Sequence, residues 1–141
     1  MSKIFIIDGN NLIGKIPQLF KLQQKDRQSS REKLAFILDN YFHNKNAKVT
    51  LHFDGFRNVP IKNSTIKIFY SDSREADQAI KEQISRTKNK KLITVVTSDL
   101  NLAEFAKVCS SDVIPSEEFG RMLNENKSKN NKTSNSKCLG R

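Results

Sequence analysis

Short apolar runs punctuate the chain, and most of them end at a polar turn. Ile4-Phe5-Ile6-Ile7 is continuously apolar and largely β-branched and stops at Asp8-Gly9. A run without alternation predicts a central parallel strand covered on both faces. Val49-Thr50-Leu51-His52-Phe53 reads as a second strand and stops at Asp54-Gly55. Ile66-Lys67-Ile68-Phe69-Tyr70 alternates with polar residues, the pattern of an edge strand. Leu92-Ile93-Thr94-Val95-Val96 is again nearly all apolar and leads into Ser98-Asp99, and a short fifth run follows at Asp112-Val113-Ile114.

Between these runs the period changes to that of a helix. After a loop through Gly14 and Pro17, Leu34, Ile37, Leu38, Tyr41 and Phe42 recur at helical spacing, with Ser29 or Ser30 as N-cap. Ala76, Ala79, Ile80 and Ile84 mark a second helix, which Asp72 and Ser73 are placed to cap. Leu102, Ala103 and Ala106 belong to a third, and a last helix runs from Ser116 to about Leu123. Strands alternating with helices predict an α/β fold on a largely parallel sheet of about five strands, the first and fourth side by side at its centre.

The apolar signal stops near residue 124. Residues 1–124 are therefore expected to form one domain, and residues 125–141, rich in Asn, Lys and Ser, a disordered basic polar tail. Lys127, Lys129, Lys132, Lys137 and Arg141 against Glu125 leave +4 on that tail, out of a formal charge of +10 for the chain. The excess suits a polyanionic partner, because each cation that neutralises a phosphate releases condensed counterions. Cys109 and Cys138 are too few for a disulfide framework or a zinc site and read as inert thiols. The apolar start, four residues long, is neither a signal peptide nor a membrane span, so the expected setting is cytoplasmic.

The placement of the acids is what points to chemistry. Asp8 and Asp99 follow the two central strands, Asp54 follows the second strand, and Asp77 falls in the first turn of the helix after the third. In an open parallel sheet these strand ends share one edge, where ligands bind. Taken singly, Asp8-Gly9 and Asp54-Gly55 are ordinary turn dipeptides, and Asp77 and Asp99 suit helix N-termini. Taken together, four carboxylates repel one another unless a divalent cation joins them, and hard Mg²⁺ or Mn²⁺ prefers carboxylate oxygen. Such an ion activates water and neutralises phosphate charge without a histidine base. That suits a chain whose two histidines, His43 at a helix end and His52 in a strand, read as structural.

The segments IIDGNNLIG, HFDG, SREADQAIKEQI and VVTSDLNLAEFA together resemble the NYN branch of PIN-like nucleases, and within it the YacP-like family. The resemblance covers residues 3 to about 124 in unchanged order. It implies a PIN-like three-layer α/β/α fold and divalent-metal-dependent endoribonuclease activity, in some members against translated messenger RNA. It places the acidic metal ligands, with Mg²⁺ or Mn²⁺ as cofactor, on Asp8, Asp54, Asp77 and Asp99, and the motif asparagine on Asn11. Asn10 stands where the family usually has Tyr, and the polar tail is thinner than the basic helical region of relatives.

Around these acids, Asn11 and Ser98 are expected to support the carboxylates from behind. Asn10, Lys15, Phe56, Arg57, Lys62 and Arg74 are the residues placed to meet RNA, Phe56 by stacking an unpaired base. Lys45, Lys48, Arg86, Lys88, Lys90 and Lys91 precede strands, and so fall at the opposite edge. The expected activity is metal-dependent endonucleolytic cleavage of single-stranded or loop RNA, with ribosome-associated mRNA as one substrate. A non-catalytic RNA- or ribosome-binding module, a structure-specific DNA nuclease and a toxin of a toxin–antitoxin pair remain open beside it.

Overall fold

A computed structural model describes residues 2–56, 59–61 and 64–126. Arg57, Lys62, Cys138 and the basic residues from Lys127 onward lie outside the described residues. In chain order the elements are β1 (Lys3–Asp8), α1 (Gly9–Lys15), α2 (Pro17–Lys25), α3 (Arg27–Phe42), β2 (Ala47–Phe53), β3 (Lys67–Tyr70) and α4 (Ala76–Arg86). A single 3₁₀ turn (Lys90–Leu92) precedes β4 (Ile93–Val96), α5 (Leu100–Val108) and β5 (Asp112–Ile114), and a helix α6 covers residues 116–126. All pairings in the sheet are parallel, in the order β3-β2-β1-β4-β5. The two most apolar strands are neighbours and the alternating strand lies at an edge, as their patterns require.

Successive residues of a strand face opposite sides, and the sheet uses both faces. Ile7, Leu51, Phe53 and Val96 are buried under α1, α2, α3 and α6, where Leu12, Leu19, Leu34, Leu38, Phe119 and Leu123 complete one core. Ile6, Ile93 and Val95 are buried on the other face against Ile80 and Ile84 of α4 and Leu102 and Ala106 of α5. The result is a three-layer α/β/α sandwich with a core on either side of the sheet.

Three local expectations are corrected. The segment through Gly14 and Pro17 is two helices, not a loop. Leu12, Ile13 and Leu19 are buried there, and Pro17 occupies the first turn of α2, where its missing N–H costs nothing. α3 begins one turn earlier than expected and is capped by Asp26, whose carboxylate accepts from the Ser29 amide and hydroxyl, rather than by Ser29 or Ser30. α4 takes no side-chain cap from Asp72 or Ser73; Asp72 sits in a left-handed turn at φ 59° and the helix opens at Ala76. At the other end, α6 runs to residue 126, three residues beyond the helix end expected near Leu123.

Candidate active site

Each of the four aspartates arrives at the same sheet edge by a different route. Asp8 is the last residue of β1, and Gly9 turns directly into α1. That turn admits only glycine, because a Cβ at Gly9 would lie 2.7 Å from the His52 carbonyl oxygen and from the Phe53 ring. Asp54 follows β2, and Gly55 after it takes φ +81°. Asp99 is the N-cap of α5, its carboxylate accepting from the Asn101 and Leu102 amides. Asp77 lies in the first turn of α4.

Hydrogen bonds hold these positions in two sets, one around Thr97 and one around Asp54. Thr97 donates its hydroxyl to Asp8 at 2.9 Å and accepts from the Asp99 amide at 3.1 Å, so one buried hydroxyl joins the two central acids. Asn10 accepts from the Asp54 amide at 2.7 Å, tying the loop after β2 to α1. Asp54 accepts from the Ala76 amide at 2.7 Å, so this carboxylate, rather than a residue of its own segment, satisfies the open N-terminus of α4 beside Asp77.

The electrostatics follow from this crowding. Burial pushes the Asp8 carboxyl up to about 6 from a usual 3.8, the neighbouring Asp54 and Asp99 charges push the same way, and the Thr97 hydroxyl and Asn11 amide oppose them. Asp8 is therefore close enough to feel both Asp54 and Asp99. Asp77 carries a buried Oδ1 with no hydrogen-bond partner, while its Oδ2 lies 3.9 Å from Lys81. Among the described residues, no three Asp, Glu, His or Cys side chains converge closely enough, as they stand, to hold a metal ion. Asp54 and Asp99 are instead each turned onto a helix N-terminus. In kind, the donors suit a hard dication: all are carboxylates, and the buried Asp77 Oδ1 is unpaired.

The expected supporting residues divide cleanly. Asn11 accepts from the Ser98 amide at 2.8 Å and from the Ser116 hydroxyl at 2.7 Å, linking α1, the loop after β4 and the start of α6. Ser98 donates to Glu117 and accepts from the Ser116 amide, and the hydrogen bond holds the Glu117 carboxyl below its usual range. Of the residues placed to meet RNA, Phe56 is 65% exposed and Lys15 is exposed beside Glu117 at 3.8 Å. Arg74 is exposed but bridges Glu82 at 2.6 Å, and the side-chain oxygen of Asn10 faces the protein backbone. At the opposite edge, Lys45 stacks on Tyr41, and Lys90 donates to the Ser85 and Thr87 carbonyls, which makes both structural.

Two residues missing from the sequence reading prove central. Thr97 is one. Arg31 is the other: 1% exposed, it donates to the Asp54 carbonyl at 2.6 Å and the Phe56 carbonyl at 3.3 Å, with its guanidinium over the Phe53 and Tyr70 rings. The signal was present, because Arg31 occupies the buried stripe of α3 with Leu34, Ala35 and Leu38, where a cation needs a reason.

The strand ends of the parallel sheet thus gather aspartates on hydroxyl and amide supports. The YacP-like NYN domain model matches residues 5–139. The chain belongs to that family. Solved structures agree on the fold: Rae1 (YacP) from Bacillus subtilis superposes with a TM-score of 0.75 at 22% identity, over 99% of this chain and 86% of that one. A tryptophan-to-leucine variant of the same protein gives 0.76 at 21% identity, over 92% and 79%. No curated protein sequence matches the chain. Among the described residues, no helix is long and apolar enough to cross a membrane.

Proposed function

We propose that the protein is a divalent-metal-dependent endoribonuclease that cleaves single-stranded or loop RNA in the cytoplasm, with ribosome-associated mRNA as one substrate. The observation that carries this reading is the gathering of Asp8, Asp54 and Asp99 at the ends of three different elements on one sheet edge, where burial and the two neighbouring charges push the Asp8 carboxyl up to about 6. Such an arrangement is costly without a counter-ion. Asp8, Asp54, Asp77 and Asp99 are the residues that would hold Mg²⁺ or Mn²⁺. When bound, the ion supplies water activation near neutral pH and neutralises charge on the phosphate.

The chain's own residues do the rest. Thr97 fixes the Asp8 carboxylate and the Asp99 backbone together, so the two central acids keep one spacing. Asn11 and Ser98 hold the loop after β4 against α1 and α6. Arg31 anchors the backbone on both sides of Gly55, and Asn10 anchors the Asp54 amide. Lys15 and Phe56 lie exposed near the same edge, suited to a phosphate and an unpaired base.

A second reading, an RNA-binding module without turnover, draws on one observation: Asp54 and Asp99 are engaged with helix N-termini rather than preassembled as a cage. Labelled single-stranded RNA incubated with the protein and with Asp8→Asn, in Mn²⁺ or in chelator, decides between them. Metal-dependent cleavage lost in Asp8→Asn supports the nuclease. Binding of equal strength with and without metal, and no product from either protein, supports the module. A matched DNA hairpin alongside tests the choice of sugar.

A further inference from the structure

The second face of the sheet is not fully roofed. α4 packs over β1 and β2, and Gln83 on it hydrogen-bonds His52 at 2.8 Å and Thr50 at 3.1 Å. In register, Thr50 and His52 stand beside Lys67 and Phe69 of the edge strand, so those two side chains share that face. Between α4 and β3 a groove of about 710 Å³ opens, running from Ser71 and Arg74 at the carboxylate edge to Lys48 and Arg86 at the opposite edge.

Its lining has a definite character. Lys48, Lys67, Arg74 and Arg86 face it against a single carboxylate, Glu82, which Arg74 already neutralises. Phe69 is 45% exposed even though its ring stacks on His52 at 5.4 Å and 21°, so the ring still presents open surface to the groove. His52 is kept neutral by burial and stays an uncharged platform under that ring. An exposed aromatic flanked by Lys48, Lys67 and Arg86, which have no ion-pair partner among the described residues, is the pattern that single-stranded nucleic acid fits, bases on rings and phosphates beside ammonium and guanidinium groups. Ser71 connects the groove to the acids, since its hydroxyl accepts from the Gly55 amide next to Asp54.

We infer that this groove carries the strand of RNA leading away from the carboxylate edge, with a base on Phe69 and phosphates beside Lys48, Lys67 and Arg86. The choice of RNA rests on the nuclease reading above. The groove thereby gives the basic residues at the far edge a role on the same strand that the acids cleave.

The test is binding of a fluorescent oligoribonucleotide of about twelve nucleotides in chelator, where no cleavage occurs. Phe69→Ala and Phe69→Leu, the second keeping apolar bulk on the strand, should each weaken binding about tenfold. Lys67→Ala with Arg86→Ala should lower the slope of log affinity against log salt by about 1.4, roughly 0.7 for each lost phosphate contact. A thermal melt of each variant establishes that it is folded. Wild-type affinity and salt slope in the folded variants overturn the groove and leave it to a protein partner. Loss of binding to matched single-stranded DNA alone, with RNA unaffected, overturns it as well. Failure of the nuclease reading looks different: neither wild type nor Asp8→Asn cleaves in Mn²⁺, while the loss of RNA binding in the groove variants persists.

Discussion

Asp8 and Asp54 end neighbouring strands of one sheet, yet they are held in opposite ways. Asp8 is 8% exposed and is supported only by neutral groups, the Thr97 hydroxyl and the Asn11 amide. Among the described residues no cation is one of the groups that act on it, and its carboxyl is pushed up to about 6. Asp54 is exposed, caps the N-terminus of α4, and has the buried guanidinium of Arg31 on its own carbonyl. The β1–β4 half of the edge thus holds a carboxyl that burial keeps hard to ionise, with Asp99 beside it capping α5, whereas the β2–α4 half sets an exposed, helix-capping Asp54 above the Arg31 guanidinium. A dication is worth most to the first half, and the geometry of the second depends on Arg31.

That contrast can be broken most severely at Arg31. Arg31→Ala should cost about 3–4 kcal/mol in urea denaturation, because it removes a large buried side chain and leaves the Asp54 and Phe56 carbonyls without their donor. Arg31→Met, which restores bulk but not the hydrogen bonds, should recover most of the stability and none of the cleavage. Full cleavage by the methionine variant would show that the guanidinium serves packing alone.

A smaller effect, of opposite sign, belongs to Asp8. Its folded value lies above the unfolded 3.8, so between about 4 and 6 the folded chain holds more protons than the unfolded one. In chelator, stability should therefore fall as pH rises through that window and stay lowered above it. Asp8→Asn should abolish the slope and be more stable than the wild type at pH 7 by on the order of 2–3 kcal/mol. Denaturation at either end of the window measures it. Added Mn²⁺ should stabilise the wild type more than the variant.

The mildest change is Thr97→Val, which keeps the shape and removes one hydroxyl. About 1–2 kcal/mol of stability should go, since the Asp99 amide and Asp8 lose a shared partner. The metal concentration for half-maximal cleavage should rise. An unchanged metal requirement would mean that the two central acids are positioned without it.

Much of this architecture is legible in the chain. Ile4–Ile7 and Ile93–Val96 are apolar on both faces, which already requires central parallel strands, and the acid after each run then falls on one edge. Local chemistry was less readable. Gly14 and Pro17 look like a loop because both disfavour helix interiors, but tertiary burial of Leu12, Ile13 and Leu19 outweighs a propensity cost of about 1 kcal/mol. Asp72 and Ser73 look like the cap of α4 because they lie within four residues of it, whereas the carboxylate that answers its N-terminus comes from Asp54, 22 positions away.

What the sequence determined by itself was the succession of the five strands, the edge on which the aspartates gather and the family, because hydrophobic periodicity and short motifs are local properties. What only the tertiary structure decided was which groups answer those charges. Thr97 bridging two strands, Arg31 beneath the loop after β2 and the groove between α4 and β3 each join residues far apart in the chain. Their partners are chosen by packing across the sheet, which no local pattern records.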